Sequence, residues 1–102
     1  MKFQRPTKVE RLSTQDTELF SRIAYAMVVV GLWKKAVRRT EESFDFFEIT
    51  GQKGQLAYRI GRKNDGGYVL FNLMTGARKH GETLKQVLRS VAYVPHRGQP
   101  NR

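Results

Sequence analysis

Cysteine is absent from the 102 residues, so disulfides, thiolate metal sites and a cysteine nucleophile are excluded by composition. Histidine is nearly absent too. His80 stands among Arg78, Lys79 and Gly81 and His96 lies near the C-terminus, each without a patterned partner for acid–base or metal chemistry. Phosphate-binding and dinucleotide-binding glycine fingerprints are missing, and so is any internal repeat. The longest uncharged stretch, Ile23 to Trp33, has 11 residues, where a membrane-spanning helix needs about 20. The N-terminal bases are separated from that stretch by Gln15, Asp16 and Glu18, and the Ala24-Tyr25-Ala26 triplet precedes it, which does not fit a signal peptide. These absences lead us to expect a soluble, cytoplasmic, non-enzymatic protein without cofactor or metal.

Acids are scarce: 9 against 19 Lys and Arg, a net charge of +10. That exceeds the magnitude of about 2–8 that keeps a small domain soluble, and it attracts polyanions. The one acidic stretch, residues 41–50, holds Glu41, Glu42, Asp45 and Glu48 and no base. Such a cluster could supply an acid–base pair or a metal site, but it more often forms a solvated face or neutralises nearby bases.

With 11 aromatics and 39% hydrophobic residues the chain is too rich in apolar groups to stay unfolded, and its length fits one domain. We expect a basic flexible arm over residues 1–13, a single α+β domain over 14–94 and a basic flexible tail over 95–102. Thr14 followed by Gln15, Asp16 and Glu18 starts a long N-terminal helix, and Leu19, Phe20, Ile23, Met27, Trp33 and Val37 continue its period. Lys34, Lys35, Arg38 and Arg39 then lie at its C-terminal end, where the dipole favours cations and where a phosphate could equally be gripped. The middle turns are apolar on all sides. More than half of Ile23 to Trp33 is expected to be buried, a second copy of the chain being one candidate cover.

Three strand-like runs follow, Phe44 to Thr50, Leu56 to Lys63 and Tyr68 to Met74, making a three-stranded antiparallel meander, with room for a short fourth strand at Ala77 to His80. A C-terminal helix opens on the capping box Thr83-x-x-Gln86 and ends before Pro95. With Asp65-Gly66 as a two-residue hairpin tip, Lys63 pairs with Tyr68, Gly61 with Leu70 and Arg59 with Asn72. The other face then holds Ile60, Tyr58, Phe71 and Leu73, and placing Gln52-Lys53 at the first turn adds Ile49 against Leu56 and Phe47 against Tyr58. That apolar face is the expected core.

The second face carries Phe46, Arg59, Lys63, Tyr68 and Asn72. Bases interleaved with aromatics on an open sheet suit single-stranded nucleic acid, whose bases stack on rings while Arg and Lys meet phosphates. The rival reading packs a helix on this face. Two motifs fail on context: Gly67-Tyr68-Val69-Leu70-Phe71 looks like the second half of the RNA-recognition-motif signature, but Asn64, Asp65 and Gly66 replace its first half. Gly51-Gln52-Lys53-Gly54 has the form of the KH phosphate loop, but strands rather than helices flank it.

Two function classes remain. The first is a nucleic-acid-binding module, such as an accessory factor of phage, plasmid or cellular origin. The second is an interaction module, an inhibitor or adaptor that docks on an acidic protein surface or forms a homodimer through the first helix. A membrane-surface role for Trp33 and the basic cluster is disfavoured, because the helix lacks a clean polar face.

Overall fold

The computed structural model describes residues 10–92. The elements are α1 (Thr14–Val29), β1 (Trp33–Glu41), β2 (Phe44–Gly51), β3 (Leu56–Arg62), β4 (Tyr68–Asn72), β5 (Arg78–Gly81) and α2 (Leu84–Leu88). The five strands form one antiparallel meander in the order β1-β2-β3-β4-β5. The α+β class expected from sequence holds. The strand count does not, since five strands stand where three, with room for a fourth, were expected. Residues 1–9 of the expected arm and the whole of the expected tail, 95–102, lie outside the described residues. Leu12, also assigned to the arm, is buried, and its N–H donates to Asp45 Oδ2 at 2.9 Å.

The missing strand was hidden inside the expected long helix. Ser13, one residue before the expected cap, closes the helix start reciprocally: its hydroxyl accepts from Asp16 N–H, and the Asp16 carboxylate accepts from Ser13 N–H, both at 2.9 Å. The end comes at Gly31, which holds φ 85°. Leu32 N–H donates to Met27 C=O and Gly31 N–H to Val28 C=O, the paired bonds that terminate a helix on a left-handed residue. Lys34, Lys35, Arg38 and Arg39 therefore belong to an edge strand and not to a helix terminus. A bulge at Lys34, between the pairs Trp33–Gly51 and Lys35–Thr50, turns Trp33 to the opposite side from Lys35, into the core.

Both helices lie on one face of the sheet. Phe20, Ala24 and Met27 of α1 and Leu84, Val87 and Leu88 of α2 join Trp33, Phe47, Ile49, Ile60, Tyr68 and Leu70 in a single core, with Phe20 stacked on Phe47 at 4.0 Å between ring centroids. Burying each large side chain contributes about 1.5–3 kcal/mol. Only that stripe of α1 is covered. Tyr25 is 73% exposed and Val29, Val30 and Leu32 are exposed as well, contrary to the expected burial of Ile23 to Trp33, because the chain turns into β1 at Gly31 and leaves the outer side of the helix bare.

The turns decide which residues share a face. At the β3–β4 turn Lys63 N–H donates to Gly67 C=O at 2.8 Å and Gly66 N–H to Lys63 C=O at 3.0 Å, a three-residue loop with Gly66 at φ 95°. The extra residue shifts the pairing by one: Arg62 faces Tyr68, Ile60 faces Leu70 and Arg59 faces Phe71. The expected pairs, Lys63 with Tyr68 and Arg59 with Asn72, are wrong, and every β4 side chain changes sides. At the β2–β3 turn Gly51 N–H meets Gln55 C=O, again one residue longer than expected. There a second irregularity, which leaves Ala57 unpaired between Thr50–Leu56 and Ile49–Tyr58, restores the alternation. Phe47, Ile49, Tyr58 and Ile60 therefore share the core face as expected, two residues out of the expected pairing.

The register makes a mutational prediction. Leu70→Ala should destabilise the protein by about 2–5 kcal/mol in denaturant unfolding, whereas Phe71→Ala should cost less than about 1 kcal/mol. The reverse order would restore the two-residue turn.

Candidate nucleic-acid interface

Alternation from the observed pairs places Lys35, Val37 and Arg39 of β1, Phe44, Phe46 and Glu48 of β2, Arg59 of β3, Val69 and Phe71 of β4, and Arg78 and His80 of β5 on the face away from the helices. Among the described residues no element packs over it. Phe71 is 37% exposed there.

Glu48 organises this face. Its side chain is only 3% exposed, roofed by two arginines: Oε1 accepts from Arg39 Nε at 2.6 Å and Oε2 from Arg59 Nε at 3.0 Å. Burial pushes the Glu48 carboxyl up, but the bonds from Arg39 and Arg59 outweigh it and hold it below its ordinary value, charged at neutral pH. A guanidinium has five N–H donors. Glu48 takes only the Nε–H of each arginine, so among the described residues the terminal NH2 groups of both are left without a hydrogen-bond partner. Arg59 also lies over the Phe46 ring at 4.8 Å, Phe46 leans on Phe44 at 5.1 Å between centroids, and Arg78 lies over Phe71 at 5.7 Å.

Asp45, of opposite parity on β2, serves the helix side. Its two oxygens accept from Arg38 Nε at 2.9 Å and Nη2 at 2.7 Å, and Oδ2 also takes the Leu12 N–H. Burial raises the Asp45 carboxyl, and the Arg38 and Leu12 bonds more than reverse that. The acids of residues 41–50 are thus used in part to neutralise neighbouring arginines, Asp45 on one face and Glu48 on the other. Among the described residues no group of three or more His, Asp or Glu side chains is placed to hold a metal ion.

Of the residues expected at the site, Phe46 and Arg59 meet on the open face, joined by Arg39 and Lys35 from the unexpected edge strand. Tyr68 does not belong there. It is 8% exposed in the core, and its hydroxyl donates to Asp16 Oδ1 at 2.6 Å. Asn72 sits on the helix side opposite Tyr58, its Oδ1 accepting from the Met74 and Thr75 N–H groups of the following turn. Lys63 flanks the β3–β4 turn, 3.5 Å from Asp65. Arg38 is engaged with Asp45, and Lys34 lies at the bulge. Phe71 and Arg78 were missed, and the signal for them was Gly66-Gly67, which permits the longer loop and its one-residue shift. No family model matches the chain, and no curated protein or solved structure matches it either.

The placement of Tyr68 in the core has a pH test. Burial and the bond to Asp16 push its phenol up to about 12, from 10.0. A raised value means that the stabilisation is whole below pH 10.0 and is lost as the pH climbs towards 12. Absorbance titration at about 295 nm should show a phenol ionising near 12 that vanishes in Tyr68→Phe, while the variant's affinity for any ligand of the open face stays unchanged.

Proposed function

We propose that the protein is a binding module for single-stranded nucleic acid, which lies across the open face of the sheet. The observation that carries this reading is the pairing of arginine with phenylalanine at two places on an uncovered surface, Arg59 over Phe46 and Arg78 over Phe71. An arginine over a ring can present a face to a nucleobase and an edge to a phosphate. Strands β2 and β4 are two spacings apart and Phe46 and Phe71 are offset by two residues along them, so the two stacking places are separated by about 12 Å. Lys35 and the free NH2 groups of Arg39 and Arg59 surround them with positive charge. Glu48 pre-positions both arginines, which lowers the ordering cost when a phosphate arrives.

The width of the face selects single strands. Five strands span about 19 Å, wider than the major groove of about 12 Å, and a duplex keeps its base faces inside its own stack. Among the described residues no cluster of metal-ligating side chains accompanies the face.

Four phosphate contacts, by Lys35, Arg39, Arg59 and Arg78, should give a slope of about −3 in log affinity against log salt. Arg59→Ala with Arg78→Ala should flatten that slope by about 1.4. Phe71→Ala should cost about 1–3 kcal/mol with the slope unchanged. Fluorescence anisotropy with labelled oligonucleotides measures all three; no binding to single strands at about 50 mM salt, where electrostatic contacts are strong, would sink the proposal.

A further inference from the structure

We infer that the free edge of β1, with the groove between that strand and α1, takes an acidic extended segment of a protein partner, which adds a sixth strand to the sheet. This site borders the stacking face at Lys35, which both would use, but its backbone edge and its groove are its own and the inference does not rest on the nucleic-acid reading.

β1 is nine residues long and, among the described residues, pairs with a strand on one side only, β2. An edge of this length presents a row of unpaired N–H and C=O groups, the template for strand addition. Beside it runs a groove of about 390 Å³. Phe20, Ala24 and Val28 of α1 line one wall and Lys34, Ala36 and Arg38 of β1 the other. The exposed Tyr25 adds to its apolar lining. In an added strand successive side chains alternate, so every second one would enter the groove and the others would lie on the sheet's opposite face, near Lys35.

Charge chooses the occupant. Arg38 is matched by Asp45, but Lys34 and Lys35 are exposed and have no acidic partner among the described residues. A second copy paired about Val37 fits badly, because Lys35 would face Arg39 of the other copy, and pairing about Arg38 would oppose the two Arg38 side chains; like charges directly opposed are destabilising. The chain's own terminal segments do not supply the complement either: residues 1–9 carry Lys2, Arg5 and Lys8 without an acid, and residues 93–102 carry Arg97 and Arg102 without an acid. The lysines that keep copies of this edge apart favour a strand alternating acidic with apolar residues.

The probe is an end-capped peptide of four Val-Glu repeats, titrated into the full chain at up to about 1 mM with amide NMR and hydrogen exchange as readouts. Strand addition predicts saturable shifts along β1 and new protection of its outward amides. It predicts at least about a tenfold loss of affinity in Lys34→Glu with Lys35→Glu, and loss of binding when alternate peptide nitrogens are methylated. A Lys-for-Glu peptide should not bind, and Arg59→Ala with Phe71→Ala should leave the affinity unchanged. The inference is overturned if the peptide does not saturate, if methylation has no effect, if the shifts fall on Phe46, Arg59 and Phe71, or if sedimentation shows a dimer that Lys35→Glu abolishes.

Discussion

Gly66 at φ 95° makes the β3–β4 loop three residues long, and the composition of both sheet faces follows from that single added residue. Alternation along a strand has a period of two, so an offset of one exchanges the two sides of β4 completely. Tyr68 and Leu70 enter the core beside Ile60, where the Tyr68 hydroxyl reaches Asp16 at the start of α1. Val69 and Phe71 move to the uncovered side, where Phe71 meets Arg78 of β5. A two-residue turn would leave Tyr68 outside without its carboxylate partner and drive Phe71 against the helices.

The second organising element is the acid content of β2, which the alternation splits between the faces. Asp45 binds Arg38 and the Leu12 N–H, tying the chain before α1 to the edge strand. Glu48 binds Arg39 and Arg59 from the two neighbouring strands. A buried carboxylate is costly unless it is paired and hydrogen-bonded, and here each has charged donors on both oxygens. The result differs between the faces. On the helix side the pair closes a corner of the core, while on the open side it ties two guanidinium groups to one carboxylate through their Nε–H groups. A basic sheet surface would otherwise repel itself, so one buried acid is what permits Arg39 and Arg59 to stand close together.

Much of this could be read from the sequence. The capping box at Thr83, the strands expected at Phe44 to Thr50, Leu56 to Lys63 and Tyr68 to Met74, each within two residues of its observed end, the short strand near Ala77 to His80 and the parity of Phe47, Ile49 and Ile60 all stand in the structure. Strand β1 was not legible because Trp33 and Val37 continue the 3.6-residue spacing of α1, and periodicity cannot separate a helix from a short strand that extends it. Gly31 was the punctuation, sitting inside the apolar run where helix and strand readings diverge. Parity survived between β2 and β3 because two irregularities, the longer turn and the skipped Ala57, cancel; it failed between β3 and β4 because only one occurs. Phe46 and Arg59 were accordingly placed with success, whereas Tyr68 and Asn72 were assigned to the wrong face and Phe71 was missed.

The central claim is that the face holding Phe46, Arg59 and Phe71 is where a nucleic-acid strand lies. The most direct measurement is a side-chain NMR titration of the full chain with a short single-stranded oligonucleotide, following the aromatic rings and the arginine Nε–H groups. The account predicts upfield ring-current shifts for Phe71 and Phe46, perturbed Arg59 and Arg78 Nε–H signals, and an unmoved Tyr68 ring. Shifts confined to Lys34, Tyr25 and the α1 groove, with the Phe71 ring unchanged at saturation, would contradict it.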